Sequence, residues 1–408
     1  MSDSPETELP SVTICINEGV LRSKVCKYEE TQCLPVGEID MEGGNACECL
    51  PDRYCENGTA RNIMVPPESF YYDLYGRKLE EYEMFLSNSD DVNLTCSFYD
   101  EYDKAKECDF SLMKRFHIIS TISMTSISSC WSLNTFIGKS NMKNIVSSKG
   151  RLVLSLTIDE SEYPVLYHPP EAKISIHNPN QIINPHLDGF TLPINTHNVF
   201  NLKKVLKKRV PHPYNTNCVD YLSKWNERGG YGPTNENECF QECQANASFE
   251  VKGCVLLLYK MQYPLSKDIC FDSAPTSEKY FTDLQKIEEK TEICKEKNCR
   301  KACLEENYIA TKDSVETNRK GFCGKHTNNM MKEKMKHLIS VTINLNNMQT
   351  TTYNYIPKYE SIEISSNLAG YIGIWLGVSF IYVINLLEEM FSLLMNSFKK
   401  LLKRRTNS

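Results

Sequence analysis

The strongest apolar signal in the chain lies near its C-terminus, where residues 368–387 (LAGYIGIWLGVSFIYVINLL) run for 20 positions without a formal charge. At about 1.5 Å per residue a helix of that length covers about 30 Å, one hydrocarbon core. The pattern therefore predicts a membrane helix. Elsewhere the dominant signal is two-residue alternation. Residues 11–17 (SVTICIN) read as a buried strand that carries Cys15. From about Leu94 to Ile176 the segments LTCSFYD, FHIISTISMTSISSCW, RLVLSLTID and KISIH are rich in β-branched and aromatic residues and predict an extended β core. Residues 338–346 (LISVTINLN) return to strand alternation, whereas 235–307 is polar and helix-forming. The fold class read from these periods is α+β, with one C-terminal transmembrane helix.

Composition changes this picture little, since 41% hydrophobic and 24% charged residues describe an ordinary globular domain. Cysteine changes it more. There are 18 cysteines, an even number, beside acceptor sequons at Asn57, Asn93 and Asn246. Both features point to an oxidising, extracellular setting. Charge placement agrees: Lys399, Lys400, Lys403, Arg404 and Arg405 follow the apolar run, and the positive-inside rule makes that tail cytoplasmic. The expected organisation is an extracellular domain at 1–366, a membrane helix at 367–396 and a basic cytoplasmic tail at 397–408. Met1–Pro10 is polar and has no signal-peptide core. An upstream membrane-inserting segment is therefore expected.

Cys26, Cys33, Cys47, Cys49 and Cys55 fall in a turn-rich insertion at about 20–60, with Gly43, Gly44 and Gly58 as turn formers. Five is odd; Cys323 is the natural sixth, and spacing leaves their pairing open. Farther along, Cys239 and Cys243 are four residues apart, as are Cys299 and Cys303, so each pair shares a helix face. If the two segments run antiparallel, the bridges nest as Cys218–Cys303, Cys239–Cys299 and Cys243–Cys294, with Cys254–Cys270 closing the far loop.

Within the apolar run Gly370, Gly373 and Gly377 fall on one stripe of an unbroken helix, and Glu388, 11 residues past Gly377, lies about 20° from it. Small residues in a stripe let helices approach closely. Gly377-Val378-Ser379 resembles the Gly/Ser-x-Ser selectivity tract in the second membrane helix of the degenerin and epithelial sodium channel family, amiloride-sensitive and acid-sensing channels included. Other blocks match in the family's order. LPSVTICINE is similar to "FPAVTICN", CSFYDEYDKAKECDF to the paired-cysteine motif, and SSCWSLN to "GNCYTFN". GRLVLSLTID, ISIHNPNQ and RVPHPYNTNC are similar to "GLRLTL", "IHDPNE" and "LPSPYGTNC".

The resemblance implies a homo- or heterotrimer in the plasma membrane, passing Na+ and needing no cofactor. Each subunit would carry a disulfide-rich, hand-like extracellular domain with β palm and β-ball, helical finger and thumb, the thumb lying in 235–307. It also implies the bridges Cys15–Cys130 and Cys96–Cys108. Carbonyls and hydroxyls of residues 377–379 from three subunits would form an oxygen ring on the axis. Asn385 stands where the family usually has glutamate, and Glu388 and Glu389 would supply a cytoplasmic-side acidic ring. Ser366 matches the gate position just outside the pore. This chain, as written, lacks the first membrane helix and is not expected to conduct alone.

A disulfide-rich single-pass receptor or adhesion protein accounts for the cysteines, sequons and one helix, but leaves the glycine stripe and the ordered blocks unexplained. No P-loop, G-x-S-x-G, H-E-x-x-H or dinucleotide motif is present, so no enzyme is read. No metal site is expected. The net charge of −6 and the topology exclude nucleic acid as a partner; the lipid membrane and an extracellular ligand remain. His168, His177, His186 and His197 read as loop residues. The basic run at 203–209 (KKVLKKR) reads as a solvated strand edge.

Overall fold

The computed structural model describes residues 6–16, 19–38, 47, 51–67, 70, 83–119, 127–163, 171–181, 183–211, 214, 216–256, 269–270, 278–316, 337–359, 361–376 and 380–405. The chain divides into two compact units, Met1–Asn354 and Tyr355–Ser408.

In chain order the main strands of the first unit are β1 (Ser11–Ile16), β2 (Thr95–Tyr99), β3 (Ala105–Glu107), β4 (Lys114–Ile119), β5 (Ile127–Leu133) and β6 (Arg151–Thr157). There follow β7 (Glu171–His177), β8 (Phe190–Pro193), β9 (Thr196–Lys208), β10 (Leu304–Glu316) and β11 (Leu338–Asn354). They form a five-stranded sheet in the order β8-β7-β1-β5-β4 and a six-stranded sheet in the order β10-β9-β11-β6-β2-β3. One apolar core serves both sheets. Val12, Ile14 and Ile16 of β1, Leu152, Leu154 and Leu156 of β6, Ala172, Ile174 and Ile176 of β7, and Ile339, Val341 and Ile343 of β11 all contribute to it. Two-residue periodicity puts each such triplet on one face of its strand.

β1 is buried at every position because its other face is covered too. There Cys15 packs with Cys130, Phe116, Phe136 and Trp225 in a second cluster. Cys15 and Cys130 are directly opposed in the β1–β5 ladder and are joined by a disulfide, with Cα atoms 4.0 Å apart. Gly19 follows β1 as a close approach of two backbones: its N–H donates to the Ile127 carbonyl at 2.8 Å, and a Cβ there would collide with that oxygen and with Ser129.

The basic run at 203–209 does not form a sheet edge. β9 lies inside the six-stranded sheet, antiparallel to β10 and parallel to β11. Interior placement is compatible with so many lysines because β10 supplies acids opposite them. Lys204 pairs with Glu306 at 2.7 Å, and Lys207 and Arg209 pair with Glu305 at 3.1 and 2.8 Å. Burial opposes ionisation of Glu305, but hydrogen bonds from Arg209, Lys207 and Asn307 hold its carboxyl below the usual range. His177 and His197 are likewise strand residues, ending β7 and near the start of β9; His186 sits in a turn, and His168 lies outside the described residues.

The cysteine-rich insertion begins with helix α1 (Arg22–Tyr28). Two short-range bridges hold it, Cys26–Cys33 and Cys47–Cys55, closing separations of 7 and 8 residues. Asn57 and Gly58, both at positive φ (52° and 78°), turn the hairpin that follows Cys55. Cys49 and Cys323 lie outside the described residues.

Candidate functional site

Two regions carry the candidate chemistry: the helical arm of the first unit and the helices of the second. The arm is built on α2 (Tyr221–Glu227), α3 (Glu236–Lys252) and α4 (Glu278–Asn298). Helix α3 has both of its ends written locally. Asn235 caps the N-terminus by accepting from the Glu238 N–H at 2.9 Å, and Gly253 ends the helix in the left-handed conformation at φ 79°. Glu238 reaches back to accept from the Thr234 N–H and hydroxyl at 2.7 and 2.8 Å, a reciprocal cap. Burial pushes the Glu238 carboxyl up to about 7, against the pull of these two hydrogen bonds.

Disulfides lace the arm in nested order. Cys218–Cys303, Cys239–Cys299 and Cys243–Cys294 close separations of 85, 60 and 51 residues, with Cα–Cα distances of 4.9, 5.5 and 5.8 Å. The chain-entropy model assigns about 4 kcal/mol to a loop of such length. Cys254 is disulfide-bonded, and its neighbours Val255 and Leu256 pair in parallel with Ile269 and Cys270; the Cys270 side chain lies outside the described ones. Cys96 is bonded to Cys108, tying β2 to the turn after β3. The sulfurs of Cys239, Cys243 and Cys299 lie within 4.8 Å of one another, a spacing a metal ion would accept. All three are spent in disulfides, so none offers a thiolate ligand.

A cleft of about 860 Å³ opens beside the arm, lined among others by Glu8, Arg209, Trp225, Glu238, Glu306 and Tyr308. Burial, and next the Glu306 carboxylate, raise the pKa of Glu8 and favour its protonated form. The sequence reading did not anticipate the cleft, because its lining comes from six separate stretches of chain. Of the sequons, Asn57 and Asn93 stand exposed in turns at positive φ, and Asn246 is half-buried on α3.

The second unit holds α5 (Ser361–Leu376) and α6 (Phe380–Arg405). Ser366 and Gly370 are exposed on α5, and a Cβ at Gly370 would meet nothing. Gly373 is half-buried on α5, while Asn385, Glu388 and Glu389 are exposed on α6. Gly377, Val378 and Ser379 lie outside the described residues. The glycine-to-glutamate stripe runs through these three positions: α5 is described to Leu376 and α6 from Phe380. No helix among the described residues is long and apolar enough to cross a membrane.

The first unit thus combines two sheets on one apolar core with a helical arm laced by nested disulfides. The model of the amiloride-sensitive sodium channel family matches residues 2–388, and the chain belongs to that family. Its members are sodium channels, not enzymes. No curated protein matches the chain.

Proposed function

We propose that this chain is a pore-forming subunit of a trimeric, sodium-conducting, amiloride-sensitive channel of the plasma membrane. The helix at 367–396, which contains the uncharged run 368–387, crosses the bilayer, 1–366 lie outside the cell and 397–408 inside. The observation that carries this reading is the family match running to residue 388, through the whole uncharged segment. The exposed apolar side chains of α5 and α6 support it: Ile362, Ile374, Ile381, Phe391 and Leu393 are each at least 67% exposed. Surface of this kind needs lipid or other copies of the helix to cover it.

In the assembled pore residues 377–379 supply backbone carbonyls and the Ser379 hydroxyl, which replace part of the water shell of Na+ without a bound cofactor. Gly370 and Gly373 allow close helix contact above the ring, and Ser366 sits at the gate. Asn385 contributes an amide where a carboxylate would add charge, which leaves Glu388 and Glu389 as the acidic groups nearest the cytoplasmic mouth. Asn57, Asn93 and Asn246 are the glycan acceptors. The partners are two further family subunits, identical or not, and the cleft beside the arm is where an extracellular ligand would dock.

The test is cross-linking and recording of the full-length subunit. The expected results are a trimeric band, an Na+ current reduced by amiloride, and block of a Ser379→Cys channel by a thiol reagent applied from outside. Surface-expressed complexes that carry no monovalent current, or a Ser379→Cys channel indifferent to the reagent, would overturn the assignment of the tract.

A further inference from the structure

Two disulfides of the helical arm lie side by side, and their accessibility is unequal. Cys239, Cys243 and Cys299 are 5%, 3% and 8% exposed, whereas Cys294, on the last turn of α4, is half-buried. The Sγ of Cys243 is bonded to Cys294 and lies 3.8 Å from the Sγ of Cys299, which belongs to the other bridge. An incoming thiolate can therefore approach only the Cys294 end of this bridge, and the Cys243 sulfur that it expels is already in contact with a second disulfide.

We propose that Cys294 is a site of S-thiolation by a small thiol of the glutathione class, and that its reaction relays to Cys239. The thiolate attacks Sγ of Cys294; a mixed disulfide forms there, the Cys243–Cys294 bond breaks, and Cys243 departs with the electron pair. The Cys243 thiolate attacks Sγ of Cys299; the Cys243–Cys299 bond forms, the Cys239–Cys299 bond breaks, and Cys239 leaves as a thiolate that takes up the proton given by the small thiol. Two S–S bonds break and two form, so no oxidant or reductant is consumed. The second step follows the first because the Cys243 thiolate is enclosed and poorly solvated, and its target is held at contact distance, which makes the attack effectively unimolecular. The product joins α3 to Cys299 through Cys243 in place of Cys239, a position one helical turn farther along, so the modification shifts the register of the arm.

The experiment treats the native, full-length chain with reduced glutathione, quenches with N-ethylmaleimide and maps disulfides by non-reducing peptide mass spectrometry. The expected pattern is glutathione on Cys294, maleimide on Cys239 and a cross-linked peptide pair holding Cys243–Cys299. Maleimide on Cys243 with Cys239–Cys299 intact overturns the relay. Glutathione on Cys243, or both bridges unreacted, overturns the site. A Cys294→Ser chain provides a second reading without added thiol, because its Cys243 is released from the start: maleimide should again fall on Cys239, and label on Cys243 with Cys239–Cys299 intact overturns the proposal.

Discussion

Acidification should loosen the five-stranded sheet through His177, and the size of the effect follows from its surroundings. The ring is 2% exposed. Its Nδ1 lies 2.9 Å from the Asn178 carbonyl, which can only accept, so Nδ1 carries the proton. Nε2 lies 2.7 Å from the Thr13 hydroxyl and accepts from it, tying the end of β7 to β1. A second proton would cancel that acceptor and place a charge in an enclosed site. Burial pushes the pKa down to about 4, only partly offset by the Asn178 carbonyl. A histidine with a lowered pKa binds fewer protons when folded, so stability is complete above about 6.5 and is lost as pH falls toward 4. At about 1.36 kcal/mol per pH unit the loss is about 2 kcal/mol at pH 5 and approaches ~3 kcal/mol in stronger acid. The assay is denaturant unfolding of wild type and His177→Gln at pH 7.5 and 5, with disulfides intact. Glutamine can still accept from Thr13 but does not titrate. Burial also brings His186 to about 4, and because it is present in both proteins, the difference between them isolates His177. Identical pH dependence in the two proteins, or an NMR titration midpoint of His177 near 6.5, would refute the reasoning.

Glu238 should act in the opposite sense: its folded pKa of about 7 lies above the ordinary 4.5, so the folded arm gains stability as pH drops through that window. Glu238→Gln should flatten this dependence and raise Tm at pH 8, and a thermal melt series checks it. Gly19→Ala should cost about 1–3 kcal/mol in unfolding free energy, because the methyl group meets the Ile127 carbonyl and the Ser129 amide, backbone that cannot swing aside. Ser366→Val in the full-length subunit should give a standing current at rest; an unchanged resting current in cells with surface trimers would count against its placement at the gate.

The features legible in the sequence were those written in short-range periods. Alternation identified β1 and β11, and β-branched and aromatic content identified β6, because a pleated strand places successive side chains on opposite faces and favours residues that pack on that surface. The spacing of Cys239 and Cys243 indicated one helix face, and an antiparallel partner gave the nested pairing that is seen; Cys299 and Cys303, expected to share a second helix face, instead follow the end of α4 at Asn298, in the connection to β10. The apolar run at 368–387 needed only a count of uncharged positions.

Sheet neighbours were a different matter. KKVLKKR has the composition of an exposed edge, yet β9 is interior because β10 and β11, distant in sequence, close on both sides, and β10 presents Glu305 and Glu306 to its cations. His177 looked like a loop residue until β1 covered it and Thr13 met its ring. The cleft beside the arm and the contact between the Cys243 and Cys299 sulfurs likewise arise from segments brought together only by folding. A period along the chain constrains which face of an element is buried; which element arrives to cover that face is decided by non-local packing, and the charge, burial and reactivity of each side chain follow from it.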